Sequence, residues 1–172
     1  MSNNVQVAPS TYVTLARHPN IVGCKLSHGD VSALTQIAAT PAIDAAGFRT
    51  FTGLGQQLLP VVSVGAAGAI DGCAGFFPRT VVRLHAAARA LSLTPDEAAA
   101  RRRLQYRVSA MEDFVAKFGT VGIKEAVSRL RGFGDRDGTR LPLCGGIPGG
   151  DAEWAKWAPI VEAMEEEEKR DA

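Results

Sequence analysis

The chain has 172 residues and a hydrophobic content of 46%, which is typical of a globular domain with a sizeable buried core and argues against a disordered chain. Nineteen basic residues stand against eighteen acidic ones, and the net charge of +1 provides no broad positive field for nucleic acid or an anionic membrane. No apolar run approaches the length of a membrane-spanning helix, so neither nucleic acid nor a membrane is an expected partner.

The cysteine pattern indicates a reducing compartment. Cys24, Cys73 and Cys144 are odd in number and far apart, with neither a C-x-x-C pair nor a nearby group of histidines. We therefore expect no structural metal and no cofactor. Because the first residues lack the pattern of a targeting signal, the sequence predicts a cytoplasmic protein, or a mitochondrial one if a further segment precedes Met1.

The first predicted unit is a strand, a short loop and a helix. The apolar run 20–24 lies between a proline and a loop that contains glycine, which predicts a buried strand directly followed by Lys25. Asp30 is a suitable N-cap, and apolar residues recur at helical spacing after it until Pro41 ends the pattern.

The same order follows twice more along the chain. Residues 48–52 are predicted as a strand, 53–55 as a tight loop and 56–64 as a helix. Residues 69–73 form the third predicted strand, and Pro78 suits the first turn of the next helix. Three such units predict an α/β fold with a parallel sheet, although three strands cannot close a barrel.

The sequence changes character after Ser92. A capping box at 94–97 begins a long amphipathic helix that is predicted to end at Gly119, and a shorter helix covers about 123–130. A loop rich in glycine and proline follows over 132–150, and a last helix is predicted from Asp151 to Glu168.

We therefore divide the chain into a βα segment, residues 1–91, and a helical C-terminal segment, residues 92–172. In the last helix, Trp154 and Trp157 are expected to be packing residues. The acidic run Glu165–Glu168 is expected to be a solvated helix end.

Chemistry is expected at the carboxyl ends of the strands, where ligands lie in parallel βα architectures. Lys25, Gly53 and the segment 73–75 occupy those ends and are predicted to share one rim. A lysine that points into the inner face of the sheet would be partly desolvated, which lowers the pKa of its amine and favours nucleophilic attack. Strand alternation would place Gly23 and Ile21 on the same face as Lys25, and Cys24 and Val22 towards the covering helix. Gly23 would then leave room for a substrate beside the lysine.

Other interpretations remain open from these patterns alone. A lysine after a strand ordinarily returns to water. Gly53 and Gly55 with Asp71 partly imitate a dinucleotide fingerprint, although Leu58 replaces the third glycine. The segment 135–138 resembles the start of a calcium-binding loop, but the ligand at the fifth position and the closing bidentate glutamate are absent, so a charged turn is the preferred interpretation. His28 is expected in an exposed loop, His85 on an exposed helix face, and His18 only precedes a proline.

Several segments resemble the dihydrodipicolinate synthase and N-acetylneuraminate lyase family. Residues 18–25, His-Pro-Asn-Ile-Val-Gly-Cys-Lys, resemble the family signature "hPNivGiK", and 27–30 resemble the loop that follows it. Residues 51–53 resemble its "lsG" motif, and 65–70 resemble "lGa.Gvi" before the last barrel strand. Weaker likenesses at 77–78, 123–126 and 140–143 extend the resemblance from about Ala8 to Leu143.

The resemblance implies the C-terminal portion of a TIM (β/α)8 barrel, with its last three βα units. It implies that Lys25 is the catalytic residue that forms a Schiff base with pyruvate, and that Gly53 and Ile70 bind the substrate, Ile70 largely through its main chain. The function implied is a lyase or aldolase acting on pyruvate-derived 2-oxo acids. The family forms dimers and tetramers, so a homo-oligomer through the long helix is expected.

The departures from the family pattern are also informative. Leu54 and Gly55 replace its usual acidic pair, Gly75 its usual asparagine, and Cys24 a common isoleucine or valine. They favour the fungal 4-hydroxy-2-oxoglutarate aldolase-like branch. The family's Gly-Thr-Thr segment and its proton-relaying tyrosine, which come from earlier strands, have no counterpart here. A truncated enzyme is therefore expected, and the alternatives are a non-catalytic half-barrel fragment, an incomplete gene model or, less favoured, a nucleotide-binding α/β protein.

Overall fold

The structure is a computed structural model and describes residues 5–170. Its sheet has three strands in the order β1 (Gly23–Leu26), β2 (Arg49–Thr52) and β3 (Gly68–Ala69). Both pairings are parallel, with Lys25 opposite Phe51 and Phe51 opposite Gly68. The parallel sheet predicted from the repeated βα order is therefore confirmed.

Helices account for most of the remaining regular structure. Short 3₁₀ turns at Gly55–Gln57 and Cys73–Gly75 follow β2 and β3. The α-helices of residues 5–170 are α1 (Pro9–Leu15), α2 (Val31–Ala38), α3 (Pro41–Ala45), α4 (Leu58–Ser63), α5 (Pro78–Arg89), α6 (Pro95–Arg131), α7 (Gly150–Ala155) and α8 (Ala158–Glu168).

The first strand begins later than predicted. The run 20–24 was expected to pair, but its first residues form a turn, in which the Ile21 amide donates to the His18 carbonyl at 3.0 Å. Pairing starts only at Gly23. Lys25 consequently lies within β1 and not after it.

The expected alternation of side chains holds only within the paired part of β1. Leu26 is buried and Cys24 packs against the same hydrophobic cluster, whereas Lys25 is exposed on the opposite face. The expectation is wrong upstream, because Ile21 packs against that cluster and Val22 is 75% exposed. Unpaired residues do not follow the pleat of a strand.

The third strand is shorter than predicted. Residues 69–73 were expected to form it, but β3 contains only Gly68–Ala69, and the Ile70 amide adds one further bond to the Thr52 carbonyl at 2.9 Å. The Asp71 carboxylate accepts the Ala74 amide at 2.9 Å and so caps a turn. A short acidic side chain that bonds to nearby backbone competes with strand pairing in this way.

Two hydrophobic clusters stabilise the fold. The first covers one face of the sheet with side chains from α2 and α4, including Leu34, Ile37 and Val61. The second lies between α5, α6 and α8, and Phe76, Phe77 and Phe114 are fully buried there. Because the second cluster takes side chains from both sides of Ser92, the βα segment and the helical segment share one core. Trp154 and Trp157 pack edge-on against Phe114 at 5.5 and 5.4 Å, which confirms them as packing residues.

The long helix α6 begins as predicted at the capping box, where the Thr94 and Glu97 side chains each bond to the other's backbone amide. The two helices expected over this region are continuous except at Gly119, which has φ 57° and ψ −142° and interrupts the helical backbone. Gly132, with φ 72°, ends α6 in the left-handed conformation that glycine adopts most readily.

The last predicted helix is two helices, because α8 starts anew at Ala158 with Pro159 in its first turn. The expectation of a solvated acidic end is also wrong, since Glu167 and Glu168 are only 8% and 7% exposed. Glu167 pairs with Arg83 and Arg107 of the neighbouring helices.

Candidate active site

The carboxyl ends of the three strands lie on one rim, as predicted. The Leu26 carbonyl accepts the Gly53 amide at 2.7 Å, and the Thr52 carbonyl accepts the Ile70 amide at 2.9 Å. These bonds bring Lys25, Gly53 and Ile70 to the same edge of the sheet. The side chain of Ile70 is 55% exposed.

The side chain of Lys25 extends across Gly53. A Cβ atom at position 53 would lie 2.9 Å from Lys25 Nζ and would also collide with Lys25 Cε and Ser27 Oγ. A side chain at position 53 would therefore displace the ends of the Lys25 and Ser27 side chains. Gly23 has a different role from the one expected, because a Cβ there would collide with the Arg49 carbonyl of the neighbouring strand. Its small size serves strand pairing.

The loops that support this rim are joined by one glutamine. Gln57 accepts the Thr52 hydroxyl at 2.9 Å and donates to the Gly29 carbonyl at 2.8 Å. It thereby links the loop after β1 to the loop after β2. His28 accepts the Asp30 amide at 3.0 Å, and Asp30 in turn caps α2, as its position in the sequence predicts.

Lys25 is exposed in this structure. The expected desolvation of its amine is not found among residues 5–170, because β1 and its neighbours are covered by helices on one face only.

Sequence reasoning missed a pair of carboxylates beside this rim. A Cβ atom at Gly55 would lie 2.5 Å from Asp71 Oδ2 and 3.0 Å from Glu112 Oε1, so both oxygens approach the same point. Glu112, on α6, is 2% exposed, and its Oε1 accepts the Cys73 amide at 2.8 Å. The sequence does carry one signal for it, because Val108 and Glu112 are four residues apart and so share one face of the helix.

Burial and the neighbouring charges change the acidity of this group. Burial, followed by the charge of Asp71, raises the pKa of Glu112 to about 7, while the Cys73 amide opposes the shift. Burial also raises the pKa of Asp71, although the Ala74 amide and the positive charge of Lys25 act against it. Burial and then the charges of Glu112, Asp71 and Glu168 raise the pKa of the Cys73 thiol well above its ordinary value.

The remaining candidate residues have structural roles. His85 was expected on an exposed face, but it is half-buried and its Nε2 lies 2.9 Å from the Ala67 carbonyl oxygen. Asp71 caps a turn and is not at a strand end, which removes the partner that a dinucleotide fingerprint requires. The segment 135–138 is a turn in which the Gly138 amide donates to the Asp135 carbonyl at 3.1 Å.

Residues 5–170 contain neither a metal-binding cluster nor a membrane-spanning helix. No three side chains of histidine, cysteine, aspartate or glutamate in that stretch are grouped to hold a metal ion. None of its helices is both long and apolar enough to cross a membrane. The expected lack of a cofactor stays a prediction.

Together, these features define an α/β protein with parallel strands and a lysine at the carboxyl edge of its sheet. The model of the dihydrodipicolinate synthetase family matches residues 2–145, and the chain belongs to this family. The family predicted from the motif around Lys25 is thus confirmed.

Individual relatives agree with this assignment. The "Probable 4-hydroxy-2-oxoglutarate aldolase, mitochondrial" of Emericella nidulans is 32% identical over 135 residues, which are 78% of this chain and 41% of that protein. A 4-hydroxy-tetrahydrodipicolinate synthase of Exiguobacterium is 31% identical over 141 residues, or 81% of this chain and 44% of the relative.

A solved relative shares the fold. The dihydrodipicolinate synthase of Acinetobacter baumannii, crystallised with pyruvate, has a TM-score of 0.75 and 23% identity, covering 94% of this chain and 51% of that one. The chain therefore spans about half the length of the relatives that it matches.

Proposed function

We propose that the chain forms the last three βα units of a TIM barrel and its helical C-terminal segment in a Schiff-base aldolase, with Lys25 as the amine nucleophile. The observation that carries this proposal is the position of Lys25, which lies at the carboxyl edge of a parallel sheet and extends over Gly53. Ligands bind at that edge in parallel βα folds. Membership of the family supports the same role.

The proposed chemistry begins with attack of the Lys25 amine on the ketone carbon of pyruvate or of a pyruvate-derived 2-oxo acid. The resulting carbinolamine takes up a proton and loses water, which leaves a positively charged iminium. In a 4-hydroxy-2-oxo acid the bond between C3 and C4 then breaks: the C4 hydroxyl loses its proton and becomes an aldehyde, while the electron pair of the bond moves to the iminium and forms an enamine. Protonation of the enamine at C3 and hydrolysis release pyruvate and free the lysine.

Gly53 and Ile70 are proposed to line the pocket for the 2-oxo acid. Their amides already donate within the sheet, at 2.7 Å to Leu26 and at 2.9 Å to Thr52. Any hydrogen bond that they make to a substrate must therefore involve their carbonyl groups as acceptors. This favours contact with a protonated group of the substrate or of the carbinolamine, while the carboxylate is held elsewhere.

The names of the relatives favour two substrate classes. Because the Emericella protein is named as a 4-hydroxy-2-oxoglutarate aldolase, we propose cleavage of such a hydroxylated 2-oxo acid first and a synthase reaction with pyruvate second. The family usually has two acidic residues at the positions of Leu54 and Gly55, and their absence here also favours cleavage of the hydroxylated 2-oxo acid.

Trapping with borohydride tests the nucleophile. Incubation of the chain with pyruvate and borohydride should attach a stable adduct to Lys25, located by peptide mass spectrometry. Lys25→Arg should abolish the adduct, whereas Lys124→Arg, whose lysine bonds to the Gly138 carbonyl away from the rim, should retain it. An adduct on Lys117 or Lys124 with Lys25 unmodified would contradict the proposal.

A further inference from the structure

We propose that a cavity between α5, the first turns of α6 and the end of α8 binds a small organic anion that has an apolar body and a carboxylate or phosphate head group. The cavity has a volume of about 620 Å³, a size typical of ligand sites. None of Lys25, Gly53 and Ile70 lines it, so the site is separate from the candidate active site. Binding there does not depend on the function proposed above.

Part of the cavity lining is apolar and consists mainly of small side chains. It is formed by five residues of α5, α6 and the segment between them, namely Ala86, Ala87, Leu93, Ala100 and Leu104. All five are at least partly exposed. Leu104 also packs against the hydrophobic cluster between α5, α6 and α8, which fixes this part of the lining in place. The three alanines leave space between the helices, and an apolar ligand in that space would remove apolar surface from water.

The charged groups of the lining are mainly positive. Five arginines contribute to it, against two glutamates: Arg83, Arg101, Arg103, Arg107 and Arg170, with Glu97 and Glu167. Both glutamates already have partners. Glu167 pairs with three of the arginines, and Glu97 accepts hydrogen bonds from the amide and the hydroxyl of Thr94. An anion in the cavity therefore meets an excess of guanidinium groups.

Arg101 and Arg103 are available to such an anion, because neither pairs with a carboxylate within residues 5–170. Arg101 donates from Nη1 to the Ala87 carbonyl at 3.4 Å, and its Nε has no acceptor in that stretch. Its guanidinium group thus lacks most of the acceptors that its donors require. At about 100° per residue, Arg101 and Arg103 lie on opposite sides of the helical stripe that contains Ala100 and Leu104, so they flank the apolar lining.

This combination of groups selects the class of ligand. An inorganic anion would pair with the arginines but leave the apolar lining in water, and a neutral apolar molecule would leave the arginines unpaired. A molecule with an acyl chain or an aromatic ring and one anionic head group uses both parts of the lining. Arginine forms two parallel hydrogen bonds with a carboxylate and with a phosphate alike, so either head group fits.

Titration of the full chain with octanoate, followed by ¹H–¹⁵N NMR, tests the site without any 2-oxo acid. We expect saturable shifts of the amides of Leu93, Ala100 and Leu104, with little change at Lys25 and Gly53. Octanol, which lacks the charge, and inorganic phosphate, which lacks the apolar chain, should each bind at least about tenfold more weakly. Octyl phosphate distinguishes the head groups: tighter binding than octanoate assigns a phosphate and weaker binding a carboxylate, and both support an amphipathic anion.

Variants of α6 test the head group and the body of the ligand separately. Arg101→Gln and Arg103→Gln should each weaken octanoate binding by about tenfold, because each removes hydrogen bonds to a charged group. Arg102→Gln is the matched control and should leave the affinity unchanged, since Arg102 is exposed and does not line the cavity. Ala100→Phe, at an exposed helical position, should fill the apolar part and abolish binding.

Three results would overturn the proposed site. The first is the lack of saturable binding of both octanoate and octyl phosphate to the wild-type chain. The second is octanol or inorganic phosphate binding as tightly as the two amphipathic anions. The third is equal weakening by Arg102→Gln and Arg103→Gln, which would mean a general attraction to a positive surface. If Arg101→Gln does not fold, as judged by circular dichroism, Arg103→Gln and Ala100→Phe decide, because both of these positions are exposed.

Discussion

The carboxylate of Glu168 caps the first turn of a helix that begins 90 residues earlier in the chain. Its Oε2 accepts both the amide and the hydroxyl of Thr80 at 2.8 Å, and its Oε1 accepts the Arg79 amide at 3.0 Å. Helix α5 has no side-chain cap of its own at Phe77. Glu168 therefore satisfies donors that the helix would otherwise leave unpaired, and it anchors the C-terminal helix to the βα segment.

Removal of this cap should destabilise the protein. We expect Glu168→Ala to lower the free energy of unfolding by about 3 kcal/mol, because the buried amide and hydroxyl of Thr80 and the partly buried amide of Arg79 lose a charged acceptor. Chemical denaturation followed by circular dichroism measures the change. Glu166→Ala, at an exposed position of the same acidic run, should have an effect of less than about 0.5 kcal/mol. Equal losses in both variants would contradict the capping role.

Gly53 should control the position of Lys25, the proposed nucleophile. Because a methyl group at Gly53 would occupy the space of Lys25 Cε and lie 2.9 Å from Nζ, Gly53→Ala should displace the amine. We expect the yield of the borohydride adduct with pyruvate to fall by at least about tenfold. Gly75→Ala is a matched control, since its Cβ would meet only Ile123 Cγ2 at an ordinary 3.6 Å. A normal yield from Gly53→Ala would show that the lysine has other routes to the substrate.

Local chemistry explains which parts of this fold could be predicted from the sequence. The Asp30 cap, the Thr94 capping box and the glycine that ends α6 all depend on residues within a few positions of one another. The order of the strands also follows from the repeated βα units. The motif around Lys25 was sufficient to identify the family, because the strand residues and the lysine that it combines are neighbours in the sequence.

Long-range partners explain what was missed. The acidic run at the end of α8 looks solvated in the sequence, and nothing near it reveals that Glu168 bonds to Thr80 across 88 positions. Asp71 and Glu112 are likewise brought together only by packing of α6 against the loop after β3. The predicted length of β3 was wrong for a related reason. The side chain of Asp71 accepts a hydrogen bond from a backbone amide of the following turn, and the chain leaves the sheet there.

The buried carboxyl of Glu112 should make stability depend on pH. Its folded pKa of about 7 exceeds the ordinary value of 4.5. The protonated group therefore contributes stability fully below about pH 4.5, and this contribution is lost as the pH rises through 7. Between pH 5 and 8 wild type should lose about 2–3 kcal/mol relative to Glu112→Gln, which keeps the shape but cannot ionise. Glu153, whose pKa is lowered to about 2 by Lys117 and Lys156, acts only at lower pH.

Denaturant unfolding at pH 5, 6, 7 and 8 measures this difference. Comparison of wild type with Glu112→Gln at each pH cancels the contributions of the ionisable groups that the two proteins share. A constant difference over the whole range would mean that Glu112 does not change its ionisation there.

The 172-residue chain alone should be a poor aldolase even though it carries the lysine. Loss of water from a carbinolamine needs a positioned proton donor, and a single general acid or base contributes about 10²–10⁴ in rate. The resemblance implies that a tyrosine and a Gly-Thr-Thr segment outside these residues supply the proton relay and hold the carboxylate. Lys25 is also exposed on a sheet face that no element of residues 5–170 covers, so its amine lacks the water-excluded surroundings that activate a nucleophile.

Release of pyruvate from 4-hydroxy-2-oxoglutarate by the purified chain measures this activity, with Lys25→Ala as the control. We expect a rate at least about 100-fold below the ~10 s⁻¹ of an ordinary enzyme. Turnover of ordinary size that disappears in Lys25→Ala would contradict the prediction, because a second copy of the chain would then have to complete the site. In that case the rate per chain should rise with protein concentration, whereas a site complete within one chain would give a constant rate per chain.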